Sequence, residues 1–186
     1  MKESKSTEYW EKRKDAIYLF VAREICKKYG GRPQTVLDVG SNGTPTLEWH
    51  RDYAKRLVSL DLRNPYQALG VESIQTNFFD YDPEEKFDLV TCFQVLEHIQ
   101  NAIQFAQKLL SVSKILIVSV PYKWSEFACK YHIHDPVDNE KMLTWFNVKP
   151  AFSYVAKELS RHERLIHVYK NIIEINNPSS NPVEGN

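Results

Sequence analysis

Apolar residues gather into short runs separated by polar or helical stretches, a pattern typical of an α/β protein. Two of the runs, TVLDV and ILIVSV, are nearly continuous stretches of β-branched residues and leucine. Such runs are typical of parallel strands that helices cover on both faces. The pattern predicts five strands, over residues 35–39, 56–60, 71–75, 87–92 and 114–120.

Apolar positions at helical spacing predict helices before, between and after these strands. The segment that joins the fourth and fifth strands, residues 98–110, has one apolar helical stripe: Ile99, Ile103, Phe105, Ala106, Leu109 and Leu110. An N-terminal helix is predicted to start after Ser6 or Thr7 and to end at Gly30 and Gly31. Its apolar stripe consists of Trp10, Ile17, Phe20, Val21 and Ile25. A further helix is expected near residues 139–146.

The C-terminal part departs from this alternation. Residues 152–159 and 164–170, FSYVAKEL and RLIHVYK, are separated by a brief polar turn and predict an antiparallel hairpin. The polar tail, residues 173–186, is expected to be disordered. We therefore expect one Rossmann-like, doubly wound, mostly parallel α/β domain over residues 33–172, with an extra N-terminal helix in residues 1–32 packed on it.

Composition narrows the class of protein. The 186 residues are 42% hydrophobic, which is enough for one core. Basic and acidic residues number 24 each, so no net charge attracts nucleic acid or an anionic membrane. Cys26, Cys92 and Cys129 are few and widely spaced, which fits neither a disulfide framework nor a paired-cysteine zinc site. Because no apolar run approaches the roughly 20 residues of a membrane span, we expect a soluble protein. The cysteines favour a reducing cytoplasm, and the balanced charge predicts no nucleic-acid partner.

The first predicted strand runs into a glycine-containing turn. Gly40, Ser41, Asn42, Gly43 and Thr44 form a loop in front of a predicted short helix, TLEWHRDY. Glycines let a ligand approach the backbone amides of such a loop at the start of a helix. The loop is therefore a candidate binding site.

Polar residues at the ends of the first three strands suggest which ligand binds. Asp38 would repel a pyrophosphate but suits the ammonium group of a methionine moiety. Asp61 lies about 20 residues after the glycine turn, where an acid accepts both hydroxyls of a ribose. Asn77 and Phe78 are candidates for the edge and the face of an adenine. The set favours S-adenosylmethionine over a dinucleotide.

Four segments, VLDVGSNGTP, SLDL, QTNFFDYD and FDLVTCFQVLEHI, resemble in this order the class I S-adenosylmethionine-dependent methyltransferases. The FQVLEHI element resembles the subgroup of ubiquinone-biosynthesis-type O-methyltransferases. The resemblance implies a seven-stranded sheet whose last strand is antiparallel. It also implies cofactor contacts from Asp38, Gly40, Ser41, Asp61, Asn77, Phe78 and Gln94. Asn42 stands where the family usually has a glycine, and asparagine tolerates the left-handed backbone that such a contact loop requires.

Methyl transfer from a sulfonium is a single displacement that needs alignment and, for a hydroxyl acceptor, a base. Glu97 and His98, just after the fourth strand, are candidate catalytic residues, although both also suit helix capping. His98 is the leading base because imidazole titrates near neutral pH. His134 is a second candidate, since the adjacent Asp135 can fix its tautomer. We expect transfer to an oxygen of a small molecule or saccharide, with nitrogen acceptors still open.

Three alternatives remain open from the sequence. Glu97, His98 and a loop histidine resemble the magnesium-binding set of small-RNA 2′-O-methyltransferases, but Gln94 stands where that group has another glutamate. The missing carboxylate and the neutral charge argue against that reading, so no metal site is predicted. A non-catalytic module that binds the same cofactor is the second alternative. A nucleotide-sugar or dinucleotide enzyme is the third, and the missing G-x-G-x-x-G pattern disfavours it.

Overall fold

The computed structural model describes residues 16–126, 128–158 and 162–170. The α-helices of this part are α1 (Ile17–Ile25), α2 (Ala102–Ser111) and α3 (Asn139–Phe146). Its strands are β1 (Thr35–Val39), β2 (Arg56–Asp61), β3 (Val71–Gln75), β4 (Phe87–Phe93), β5 (Ser113–Pro121), β6 (Phe152–Ala156) and β7 (Arg164–Lys170). A π-helical turn, Cys26–Gly30, extends α1, and 3₁₀ turns cover Thr46–His50, Phe78–Asp80 and Leu96–His98.

The strands form one sheet in the order β3-β2-β1-β4-β5-β7-β6. Strands β1 to β5 pair in parallel, and β7 pairs antiparallel with both β5 and β6. The predicted seven-stranded, mostly parallel sheet with an antiparallel C-terminal hairpin is therefore confirmed. Each predicted strand is observed, with bounds that agree to within a few residues.

The strand order creates a switch point beside β1. The chain passes from β1 to β2 and β3 on one side and then returns to place β4 on the other side of β1. Connections therefore leave the carboxyl ends of β1 and β4 in opposite directions. Ligands of doubly wound sheets bind in the crevice that opens at such a point.

Helices cover both faces of the sheet and produce two apolar layers. On one face, Phe105 and Leu109 of α2 and Trp145 of α3 pack with Leu37 and Leu116 of the sheet. On the other face, α1 packs over the sheet, and the buried residues of that layer include Tyr18, Leu19, Ala22, Ile25, Val36, Leu89 and Ile117. The strands β1 and β5 are covered on both sides, which explains their almost continuous apolar sequences.

The buried face of α1 differs from the prediction. Phe20, assigned to the apolar stripe, is 66% exposed, whereas Tyr18, Leu19 and Ala22 are buried. The sheet packs against the face of α1 next to the predicted one. Both faces carry apolar residues, so helical spacing alone did not show which of them is buried. Gly31 follows the helical segment with a φ of 66°, so the predicted helix end is confirmed. The predicted start at Ser6 or Thr7, with Trp10, lies outside the described residues.

The helix between β4 and β5 also starts later than its stripe suggested. A 3₁₀ turn at Leu96–His98 comes first, and α2 begins only at Ala102. This break sets the helical phase, so Ala102 is buried and Ile103 is 48% exposed. Ile99, also assigned to the stripe, lies in the connecting loop against the core.

No helix in the described segments is both long and apolar enough to cross a bilayer. Cys26, Cys92 and Cys129 are free thiols. The tail predicted to be disordered, residues 173–186, lies outside the described residues.

Candidate functional site

A cavity of about 340 Å³ opens at the carboxyl ends of β1, β2 and β4, at the switch point of the sheet. Its lining combines carboxylates, the glycine loop and the turn after β4 with two residues of α1: Tyr18, Leu19, Asp38, Gly40, Ser41, Asn42, Thr44, Thr46, Asp61, Leu62, Arg63, Phe93, Gln94, Val95 and His98. Six of the eight predicted cofactor contacts are brought together there, including both aspartates. The two exceptions are Asn77 and Phe78.

Asp38 is held at the base of this cavity by two threonine hydroxyls. It lies opposite Thr91 in the register of β1 and β4, and its Oδ1 accepts a hydrogen bond from Thr91 Oγ1 at 2.7 Å. Its Oδ2 accepts from the hydroxyl of Thr46. Burial raises the pKa of Asp38 to about 6, and the charge of Asp61 acts in the same direction while the two hydroxyls oppose the shift. A cation placed beside this carboxylate would favour its charged form.

Two features of position 40 require a glycine: its backbone conformation and the close approach of a neighbouring side chain. Its φ is 77°, and a Cβ at this position would overlap Val95 Cγ2, which belongs to the turn after β4. Its amide donates to Leu60 O at 2.7 Å, so the loop begins as a continuation of the sheet. The loop then passes through Asn42 and Gly43, both with positive φ, and meets the predicted short helix, which is a 3₁₀ helix limited to Thr46–His50.

Asp61 links the end of β2 to the glycine loop. Its Oδ2 accepts the amide of Asn42 at 2.9 Å. Its Oδ1 accepts the amides of Arg63 and Asn64, both at 2.8 Å. Three backbone donors therefore fix the carboxylate at the edge of the cavity, and each oxygen keeps capacity for a hydroxyl donor.

Ser41 supports the loop through its side chain. Its Oγ accepts from Ser59 Oγ at 2.9 Å and from the Tyr66 amide at 3.1 Å, and the serine is buried. The hydroxyl therefore holds the loop against β2, and the contribution of Ser41 to the cavity is chiefly its backbone.

Asn77 and Phe78 occupy structural positions away from the cavity. The Asn77 side chain accepts the amide of Phe79 and caps the short turn that follows β3. Phe78 is buried against Phe105 of α2, with ring centroids 4.9 Å apart. The contact of Phe78 with an adenine stays a prediction that this arrangement does not support, because the chain turns at Asn77 and directs the ring into the core.

Leu62 is a cavity residue that the sequence reasoning missed. It follows Asp61 directly, lines the cavity and is 59% exposed. An exposed leucine next to a polar carboxylate is an apolar surface available to a ligand. The signal was present in SLDL, where an apolar residue follows the acid at the end of the strand.

Gln94 is held in a left-handed backbone conformation, with a φ of 57°. Its amide donates to Ser119 O at 2.8 Å, and its side-chain Nε2 donates to Ser119 Oγ at 3.1 Å. Both bonds attach the turn after β4 to the end of β5. Gln94 therefore lines the cavity in a fixed position beside Val95 and the glycine loop.

His98 lies at the outer edge of the cavity, next to the buried Glu97. Its Nδ1 donates to Tyr131 O at 2.9 Å, and its Nε2 lies 4.0 Å from Glu97 Oε1. Burial lowers the pKa of His98, which favours a neutral ring at neutral pH. The imidazole of His132 lies against it, with ring centroids 4.9 Å apart.

Asp135 contacts His132 and not His134, the histidine with which the sequence paired it. His134 Nε2 donates to Ile99 O at 2.8 Å, and its ring lies edge-on to Trp145, outside the cavity lining. Asp135 instead accepts from His132 Nδ1 at 2.7 Å. The expectation that Asp135 orients His134 is therefore wrong, because the turn brings Asp135 to the residue three positions before it and directs His134 to Ile99. The i, i+3 spacing of His132 and Asp135 was the available signal.

Helix α1 borders one side of the cavity, and a residue that follows β6 caps its start. Tyr18 and Leu19 line the cavity. Glu158, just after β6, accepts the amides of Ile17 and Tyr18 at 3.1 and 3.0 Å. This cap satisfies two of the free amides that every helix start presents.

The family follows from a sequence comparison. Residues 9–162 match the model of a methyltransferase domain. The chain belongs to this methyltransferase family. The predicted class I S-adenosylmethionine-dependent methyltransferase is thereby confirmed, and S-adenosylmethionine is the cofactor of that class. The ubiquinone-biosynthesis-type subgroup stays a prediction.

Solved structures share the fold of this methyltransferase at low identity. A 1,6-didemethyltoxoflavin-N1-methyltransferase of Burkholderia thailandensis, with bound 1,6-didemethyltoxoflavin and S-adenosylhomocysteine, gives a TM-score of 0.69 at 17% identity over 84% of this chain and 79% of its own. The N-methyltransferase NodS of Bradyrhizobium japonicum WM9, in complex with S-adenosylhomocysteine, gives 0.64 at 13% identity over 83% and 86%. The N-terminal domain of EvdMO1, in the presence of S-adenosylhomocysteine and D-fucose, gives 0.57 at 13% identity over 83% and 82%. No curated protein sequence matches the chain.

Proposed function

We propose that this methyltransferase transfers the methyl group of S-adenosylmethionine to an oxygen of a small molecule or saccharide. The observation that carries the proposal is that Asp38 and Asp61 line one cavity whose outer edge is His98. The carboxylate of Asp38 suits the ammonium group of the cofactor, and that of Asp61 suits its ribose diol. The imidazole of His98 suits the acceptor hydroxyl.

In this proposal the methionine end of the cofactor lies deep, over β1. Asp38 binds the ammonium group, and the backbone of Gly40 and Ser41 lies along the methionine chain. Gln94 borders the same end, held by its two bonds to Ser119. The support is the buried carboxylate of Asp38, since a buried acid with a raised pKa gains most from a cationic ligand.

The nucleoside end lies over β2. Asp61 accepts the two ribose hydroxyls while its three backbone donors keep its position. Asn42 belongs to the same end, because its amide is the donor that connects the loop to Asp61. The exposed side chain of Leu62 packs on the adenine in place of the predicted Phe78, whose ring is in the core. Asn77 keeps its capping role in this assignment.

The acceptor enters beside His98. Because Nδ1 donates to the carbonyl of Tyr131, the lone pair of the neutral ring is on Nε2. An acceptor hydroxyl gives its proton to Nε2 as its oxygen bonds the methyl carbon, and the breaking carbon–sulfur bond leaves a neutral thioether. The buried carboxylate of Glu97, 4.0 Å away, stabilises the imidazolium that results.

A saccharide acceptor agrees with the loop after β5. That loop presents Tyr131, which is 65% exposed and whose carbonyl accepts the hydrogen bond from His98. An exposed aromatic residue next to the imidazole suits the apolar face of a sugar ring. One structural relative, EvdMO1, was crystallised in the presence of D-fucose.

The test combines binding and transfer. Calorimetry should show S-adenosylhomocysteine binding with no comparable binding of NAD. Radiolabelled S-adenosylmethionine should then transfer label to members of a panel of alcohols and saccharides. Binding without transfer to any oxygen or nitrogen acceptor would favour a non-catalytic module, and label found only on amines would overturn the oxygen assignment.

A further inference from the structure

Three potential metal ligands meet at the outer edge of the cavity. Glu97 and His98 lie in the turn after β4, and His132 lies in the loop after β5. One ligand atom from each residue lies within 4.8 Å of those of the other two. A carboxylate and two imidazoles at this separation match the donor set of a mononuclear transition-metal centre.

Hydrogen bonds orient both imidazoles toward such an ion. His98 Nδ1 donates to Tyr131 O at 2.9 Å, and His132 Nδ1 donates to Asp135 Oδ2 at 2.7 Å. Because both acceptors fix the proton on Nδ1, each ring keeps its lone pair on Nε2. Metal-binding histidines characteristically donate their other nitrogen to a backbone carbonyl or a carboxylate in this way.

The two segments that supply the ligands are fastened to each other. The amide of Ile133 donates to the carbonyl of Glu97 at 3.0 Å, beside the bond from His98 to Tyr131. The ring of Trp124 stacks on His132 from the other side. The segments that supply the ligands are therefore held together before any ion binds, which reduces the ordering that binding requires.

We propose that Glu97, His98 and His132 bind one divalent first-row transition ion, through a carboxylate oxygen and the two Nε2 atoms. Two imidazole donors favour manganese, iron, cobalt or zinc over magnesium or calcium, which prefer oxygen ligands. Three protein ligands leave coordination positions open for solvent or an acceptor oxygen.

The proposed ion site shares His98 with the cofactor cavity, so a bound ion would affect methyl transfer. Because His98 also lines the cofactor cavity, an oxygen bound to the ion would stand at the methyl-transfer end. With the ion bound, His98 Nε2 is a ligand instead of a base, and the positive charge of the ion lowers the pKa of the bound hydroxyl. Only this consequence rests on the proposed function; the binding of the ion does not.

Cobalt(II) tests the site directly, because its visible absorption reports nitrogen and oxygen ligands around the ion. The full chain, freed of metal with a chelator, should bind one equivalent of Co²⁺ with a new d–d spectrum. His132→Ala and Glu97→Gln should each weaken binding at least tenfold, and Asp135→Asn, which leaves the ligands intact, about ten- to a hundredfold. His134→Ala is the matched control from the same loop and should bind like the wild type.

Two outcomes would overturn the proposal. One is a folded wild-type chain that gives no cobalt spectrum, and the other is equal weakening by His134→Ala and His132→Ala. Circular dichroism of each variant excludes unfolding as the cause of a loss. Calorimetry with S-adenosylhomocysteine, done without metal, separates this result from a failure of the proposed function.

Discussion

The amide of Asn42 donates to Asp61 Oδ2 at 2.9 Å, so the glycine loop after β1 and the end of β2 are held by one carboxylate. The same carboxylate accepts two more amides, from Arg63 and Asn64. A residue proposed to bind ribose is thus also the residue that shapes the loop. Its replacement has two separable effects, one on stability and one on cofactor affinity.

We expect Asp61→Asn to weaken S-adenosylhomocysteine binding by about ten- to a hundredfold, because charge-assisted hydrogen bonds contribute roughly 1.5–3 kcal/mol. The matched control is Asp88→Asn. Asp88 also accepts two amides, those of Gln34 and Thr35, but at the opposite ends of the strands. Calorimetry should show normal affinity in the control, even though thermal unfolding shows a loss of stability. Equal loss of affinity in both variants would contradict the assignment.

Gly40→Ala should destabilise the fold by roughly 2–5 kcal/mol, the sum of left-handed strain and overpacking against Val95. Gly31→Ala separates the two causes. Gly31 also has a positive φ, yet its added Cβ would meet no atom of the described structure within 4 Å. We expect the control to lose about 1–3 kcal/mol in denaturant unfolding, the cost of the strained backbone alone. Adding Val95→Ala to Gly40→Ala should restore part of the stability, and no restoration would argue against the steric cause.

The affinity for S-adenosylhomocysteine should fall as the pH drops below about 6. Asp38 has a pKa raised to about 6 in the free protein, so it is charged at pH 7.5 and becomes protonated at pH 5. A protonated Asp38 loses its attraction for the ammonium, and affinity should fall about tenfold per pH unit below the pKa. The other titratable cavity residues are Tyr18, Asp61, Arg63 and His98.

The variant Asp38→Asn isolates the cause of that pH dependence. Its affinity should be low at neutral pH and should change little between pH 7.5 and 5. Calorimetry at several pH values measures both profiles. A wild-type profile that persists in Asp38→Asn would assign the titration to another group.

His98→Ala should lower kcat by about a hundredfold or more, the usual size of a general-base contribution, with S-adenosylhomocysteine affinity nearly unchanged. His134→Ala should retain the wild-type kcat, because its ring bonds the carbonyl of Ile99 away from the cavity. Its expected cost is about 1 kcal/mol of stability from the lost hydrogen bond. Initial rates together with thermal melts distinguish the two variants. A kcat of His134→Ala as low as that of His98→Ala would show that His134 takes part in the reaction.

Apolar periodicity predicted the sheet well because parallel strands covered on both faces have a distinctive local composition. Asp38 and Asp61 were likewise predictable, since residues at the carboxyl ends of neighbouring parallel strands must meet at one edge. The placement of Phe78 depended on a turn after Asn77, which is set by one side-chain cap and by packing against Phe105. Such tertiary contacts leave little trace in a single sequence.

The pairing of His132 with Asp135 shows the same limit at the reacting end. Adjacency in the chain favoured Asp135 with His134, but neighbouring residues in this loop point in different directions. The fold of the loop brings His132 back to the turn after β4 and sends His134 toward α3. Which of two nearby histidines faces a cavity is decided by the loop, and loops carry the weakest local signals.

The hydrogen bonds that the amides of Ile17 and Tyr18 donate to Glu158 join the start of α1, which borders the cavity, to the segment that follows β6. Movement of α1 away from the cavity would require either rupture of these bonds or joint movement of α1 and the terminal hairpin; if release of spent cofactor uses this movement, the bonds oppose it. The sheet edge most distant from the glycine loop would thereby influence the rate of product release. Substitutions near residue 158 would then alter the turnover number without touching any reacting atom.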